Sequence, residues 1–75
     1  MQLGTRWAAG AEPPASVPAA QRPAIAEVET QLGASASGAH WTLTWLEGRA
    51  IAELDAGWEV FQTASGDIVA RPFQD

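Results

Sequence analysis

Between Trp41 and Leu54 the chain reads WTLTWLEGRAIAEL, two runs of alternating character joined by a short turn that contains Gly48. Side chains on a strand alternate between its faces, so a period of two flanking a glycine turn directs this stretch into a β-hairpin. In the first run Trp41, Leu43 and Trp45 share one face, and Thr42, Thr44 and Leu46 share the other. A loop of Gly48 and Arg49, with the glycine supplying the positive φ of a type II′ turn, pairs Leu46 with Ile51, Trp45 with Ala52 and Leu43 with Leu54. A loop of Glu47 and Gly48 slides the pairing by two residues and keeps the faces.

The stretch after Leu54 extends the pattern. Asp55, Ala56 and Gly57 suit a type I turn closed by a glycine bulge, which sets Leu54 opposite Trp58, Ala52 opposite Val60 and Ile51 opposite Phe61. A further turn over 64–67, with Ser65 and Gly66, returns the chain as a strand from Ile68 to Arg71. Pro72 ends that strand at a sheet edge, because it has no amide proton for a further neighbour.

Ahead of the hairpin, Leu3, Thr5 and Trp7 fall on one side of an extended segment, and Gly4 weakens it. The run AAGAEPPAS from Ala8 to Ser16 has no period and reads as an irregular connection. The helix is expected within 18–33, with its regular part starting at Pro23, since proline is tolerated only in the first turn. Ile25, Val28 and Leu32 form its apolar stripe, Glu27 and Glu29 are placed toward the positive end of its dipole, and Gly33 stops it. So short a helix is unstable alone and must lie on the sheet.

The expected fold is therefore α+β: a three- or four-stranded antiparallel meander over 41–72 with one helix packed on one face. Residues 1–17 form an arm, extended or irregular, from which an extra N-terminal strand can be drawn. The expected core contains two rows, Leu43–Leu54–Trp58 and Trp45–Ala52–Val60, beneath the helix stripe. In a chain of 75 residues without cysteine, little else can supply stability. Each fully buried aromatic removes roughly 150–250 Å² from water, about 4–6 kcal/mol as an upper bound. Four tryptophans are thus chiefly core material.

The opposite face carries Thr44, Arg49, Glu53 and Glu59, as a solvated face should, but the same register aligns Leu46, Ile51 and Phe61 across three strands. Contiguous exposed apolar groups mark interaction surfaces, so this row is the candidate protein-binding surface. Trp7 is a further candidate, because tryptophan is favoured as an interface anchor. The competing reading is that the chain covers its own patch with Leu3, Trp7 or Phe73.

Catalytic candidates are sparse. His40 could be joined to Ser35 or Ser37 as nucleophile and to Asp55 or Asp67 as orienting acid, but no nucleophile-elbow pattern supports either serine. Glu47, Glu53, Asp55, Glu59 and Asp67 offer hard oxygen ligands without the spacing of a calcium loop. The segment ASASGAH lacks the lysine of a phosphate loop. No cofactor, metal or catalytic residue is assigned.

The formal charge of −5, with no lysine and four scattered arginines, argues against nucleic acid and against anionic membranes as partners. Without an apolar run of spanning length or a recognisable leader, a cytoplasmic location is the expectation. The strings WTLTWLEGR and AELD, together with LGTRW near the start, resemble a family of short uncharacterised proteins from high-GC Gram-positive bacteria. The resemblance covers the arm and the hairpin, implies a bacterial cytoplasmic protein, and brings no functional residues with it. The expectation for function is non-enzymatic binding to another protein, or self-association, through the apolar face or an open sheet edge. The alternative is a small-molecule-binding or catalytic domain around His40 and its acidic neighbours.

Overall fold

In the computed structural model, which describes residues 4–72, a single antiparallel sheet carries the helix on one face. Strands β1 (Thr5–Ala8), β2 (His40–Leu46), β3 (Arg49–Leu54), β4 (Trp58–Gln62) and β5 (Ile68–Pro72) lie in sequential order. The sheet thus has five strands rather than three or four. The additional strand comes from the arm, where Trp7 pairs with Trp41 and Thr5 with Leu43. Both partners face inward, so the arm is held by core packing as well as by ladder hydrogen bonds.

The helix α1 (Arg22–Leu32) follows a 3₁₀ turn at Ala19–Gln21 and runs into another at Gly33–Ala36. Pro23 occupies the first turn, where its missing amide proton costs nothing. Gly33, at φ 52°, closes the helix through its N–H to the Glu29 carbonyl. Ile25 and Val28 are buried, and Leu32 packs at the margin. No acidic residue stands in the first turn, so Glu27 and Glu29 do not serve the dipole. Glu29 instead reaches off the helix, accepting hydrogen bonds from Trp41 Nε1 at 2.8 Å and from the Gly10 amide at 3.1 Å.

The β2–β3 hairpin adopts the second of the two registers open to the sequence. Its loop is Glu47–Gly48, both with positive φ (53° and 78°), the signature of a type I′ turn that matches strand twist. Leu46 pairs with Arg49, Trp45 with Ala50, Leu43 with Ala52 and Trp41 with Leu54. Faces are unchanged, but neighbours move by two. The inner rows become Trp41–Leu54–Trp58 and Leu43–Ala52–Val60, and Trp45 is carried to the loop end, where it is 45% exposed. Leu43 takes the position opposite Ala52 that the other register gave to Trp45, and Trp41 takes the one beside Leu54.

The next corner follows the expected geometry. Gly57, at φ 103°, donates its amide to the Leu54 carbonyl at 2.8 Å, and Leu54–Trp58, Ala52–Val60 and Ile51–Phe61 are paired. Strand β5 forms the far edge and ends at Pro72. The β4–β5 turn is held by the Thr63 amide donating to the Asp67 carbonyl and by the Asp67 amide donating to Thr63 Oγ1.

Trp41 is fully buried, and its ring stacks on that of Trp7 with centroids 6.2 Å apart and planes 15° from parallel. Such pairs add about 0.5–1.5 kcal/mol beyond the area they bury. The connection between β1 and α1 is irregular in backbone but not loose. Val17 is buried, and the Arg22 guanidinium donates to the carbonyls of Val17, Pro13 and Pro14, the last at 2.6 Å. Gln21, only 1% exposed, donates to the Ala50 carbonyl at 2.9 Å, one residue beyond the last β3–β4 pair.

Two stability outcomes follow. A non-glycine residue at positive φ is strained by about 1–2 kcal/mol, less for asparagine, so Glu47→Asn, which creates the preferred Asn-Gly loop, should raise the midpoint of urea unfolding by an equivalent of about 0.5–1 kcal/mol. Arg22→Ala should lower stability by about 1–2 kcal/mol through the loss of charge-assisted hydrogen bonds. Hydrogen exchange should then accelerate over 13–17, and Arg22→Lys should not restore it, because a lysine cannot span three carbonyls with a planar fork.

Candidate functional site

The face of the sheet turned away from the helix is set by strand parity. From β2 to β5 it presents Thr42, Thr44 and Leu46, then Arg49, Ile51 and Glu53, then Glu59 and Phe61, then Val69 and Arg71. Ile51 and Phe61 are direct cross-strand partners, with Thr44 beyond Ile51 and Val69 beyond Phe61. Leu46 does not complete the row. The two-residue shift in register pairs it with Arg49, so it is the diagonal neighbour of Ile51, still within contact range for a long side chain.

Leu46 is 56% exposed, while Ile51 and Phe61 are half-buried. Together with Arg49, Gln62 and Thr63 they line an apolar hollow of about 230 Å³. Pockets for small organic ligands run from roughly 300 to 1,000 Å³, so this hollow matches an inserted side chain better than a cofactor. Arg49 was placed on this face by the sequence reading, whereas Gln62 and Thr63 were missed because they sit at a strand end and in a turn, where period-two patterning says nothing.

Charged groups frame the hollow. Arg49 Nη2 lies 3.2 Å from Glu47 Oε1 across the loop. Arg71 Nε lies 2.8 Å from Glu59 Oε2, and its guanidinium stands 5.0 Å from the Phe61 ring centroid, within cation–π range. Glu53 is the direct partner of Glu59. Both project from the outer face, one strand apart, as the alternation of the two strands requires. Glu53 is exposed and makes no ion pair or side-chain hydrogen bond among the described residues.

Trp7 is not on this surface. It is 8% exposed and stacked on Trp41 on the helix side of the sheet, so it does not cover the patch. Leu3 and Phe73, the other proposed covers, lie outside the described residues.

Of the residues of the catalytic alternative, Asp55 lies beside His40, but it meets the His40 backbone rather than its ring. The backbone N–H of His40 meets Asp55 Oδ2 at 3.2 Å, and the same carboxylate oxygen lies 3.4 Å from Arg6 Nη2. The His40 ring has no hydrogen-bond partner among the described residues. Asp67 belongs to the β4–β5 turn, at the opposite end of the sheet from His40, where it accepts from Ser65 Oγ. A smaller depression of about 140 Å³ lies beside Ala9, Gly10, Glu29, Gly33, Ala36 and Ser37, but neither it nor the larger hollow borders His40. Among the described residues no three histidines or carboxylates converge on a metal-sized site, and no helix is long and apolar enough to cross a membrane.

Comparison with protein-family models, with curated proteins and with solved structures finds no match.

The paired carboxylates of β3 and β4 carry a measurable cost. Like charges directly opposite each other destabilise a sheet, so Glu53→Thr should raise stability by about 0.2–1 kcal/mol in low salt. The gain should shrink as ionic strength rises, because exposed charges are screened; chemical denaturation at two salt concentrations measures both effects.

Proposed function

We propose that this domain is a non-enzymatic protein-binding module whose contact surface is the outer face around Leu46, Ile51 and Phe61. One observation carries the reading: a leucine more than half exposed borders a side-chain-sized apolar hollow. In a chain this small every large apolar group is needed for the core, and Leu46 contributes nothing to it. Interfaces are organised around a few apolar or aromatic anchors seated in pockets, with a polar rim that excludes water. The hollow and the charges framing it have that form.

The sheet edges support a partner less well. Strand β1 offers only four residues, and β5 ends at a proline, which cannot donate to an added strand. The ring of His40, without a hydrogen-bond partner among the described residues, gives no support to a general base held by a second group. Self-association through the same face is a variant of this reading, separated from it by sedimentation at increasing protein concentration.

Ile51→Glu places a charge at the centre of the surface without touching the core. The variant should keep the native near-ultraviolet circular dichroism, since Trp7 and Trp41 lie on the other side of the sheet. It should lose the partners that the parent chain retains in a side-by-side pull-down, or the parent's own dimerisation. A folded Ile51→Glu chain with an undiminished set of partners would rule the surface out.

A further inference from the structure

The charge pattern on the outer face specifies the chemistry of what it binds. Three arginines reach this side of the sheet, and each is committed: Arg6 to Asp55, Arg49 to Glu47 and Arg71 to Glu59. The carboxylate left over is Glu53, on the central strand and directly opposite Glu59. Of the two carboxylates only Glu59 has a guanidinium partner among the described residues, and that guanidinium also stands over the Phe61 ring. Like charges directly opposite each other oppose folding, and among the described residues no cation pairs with Glu53.

Its position relative to the hollow is regular. Glu53 stands two residues from Ile51 along β3, and Glu59 two residues from Phe61 along β4, on the same face. An extended polypeptide repeats side chains on one side every two residues, about 6.6–6.8 Å, so a segment lying along β3 and β4 with one side chain against Ile51 and Phe61, at the rim of the hollow, presents the next beside the carboxylates.

Building on the protein-binding reading above, we infer that the occupant is an extended segment of another polypeptide. It carries an apolar side chain for the hollow and, two residues away, a lysine or arginine for Glu53 and Glu59. The cation supplies the charge that the face lacks and relieves the repulsion between the two glutamates. A second copy of this chain is a poor occupant: it would bring a formal charge of −5 against −5, and juxtaposed like charges select against a partner.

Capped seven-residue peptides test this, each with a single leucine or phenylalanine and, two places away, either lysine or glutamate. They are titrated into the full chain and followed by amide chemical shifts. The lysine peptides should bind more tightly than their glutamate counterparts by about two- to fivefold, the size of an exposed ion pair. The preference should fade at high salt, shrink with Glu53→Gln and reverse with Glu53→Arg. All peptides should lose binding to Ile51→Glu.

Equal affinity for lysine and glutamate peptides, or a preference that Glu53→Gln leaves intact, overturns the inferred cation while the hollow stands. Failure of every peptide to bind at millimolar concentration, or binding indifferent to Ile51→Glu, overturns the surface itself and the inference with it. Dimerisation of the parent chain that Ile51→Glu abolishes places a second copy on the face and overturns the inference as well.

Discussion

The indole of Trp41 is the interaction on which the remaining structure depends. Its ring lies against Trp7 of β1, its backbone belongs to β2, its cross-strand partner is Leu54 of β3, and its Nε1 donates to Glu29 of the helix. One side chain thus joins four elements, and Glu29 spends its other hydrogen bond on the Gly10 amide, which ties in the chain leaving β1. A small domain without disulfides has few ways to hold a helix and an edge strand on a sheet. A large buried ring with a single polar tip does both, because the apolar surface drives docking while the N–H fixes its angle.

Most of the sheet was legible because its pattern is local. The corner at Asp55–Gly57 has a glycine where the bulge needs positive φ, and the alternation on both sides fixes which residues face inward. The first hairpin was legible only as to faces. Gly48 fits the second position of a type I′ loop and the first of a type II′ loop equally, and a shift of two residues leaves parity intact. The difference lies in which residues are neighbours. That is why Trp45 was assigned to the core and Trp41 left out of its rows, and why Leu46 was placed in line with Ile51 rather than diagonal to it.

What the pattern could not reveal depends on contacts between residues distant in sequence or on conformations that residue type alone does not announce. Arg22 looks like a solvated helix residue, yet it holds the carbonyls of the preceding loop, and Val17 looks like an isolated apolar residue in a proline-rich run, yet it is core. Glu47 in a left-handed conformation is disfavoured by its own chemistry and is imposed by strand twist. On the outer face, Ile51 and Phe61 were correctly paired from the sequence. The same register places Glu53 opposite Glu59, whereas the turn residues that finish the hollow appear only once the strands are assembled.

Strand β1 reaches its place differently from the others. From β2 onward each strand pairs with the one that follows it through a short turn, contacts that a folding chain closes early because little loop entropy is lost. The ladder between β1 and β2 must instead wait for the whole helical excursion to be ordered. The Trp7 ring is accordingly sealed from water later in folding than the groups of the β2–β5 meander, because its ladder closes a longer loop.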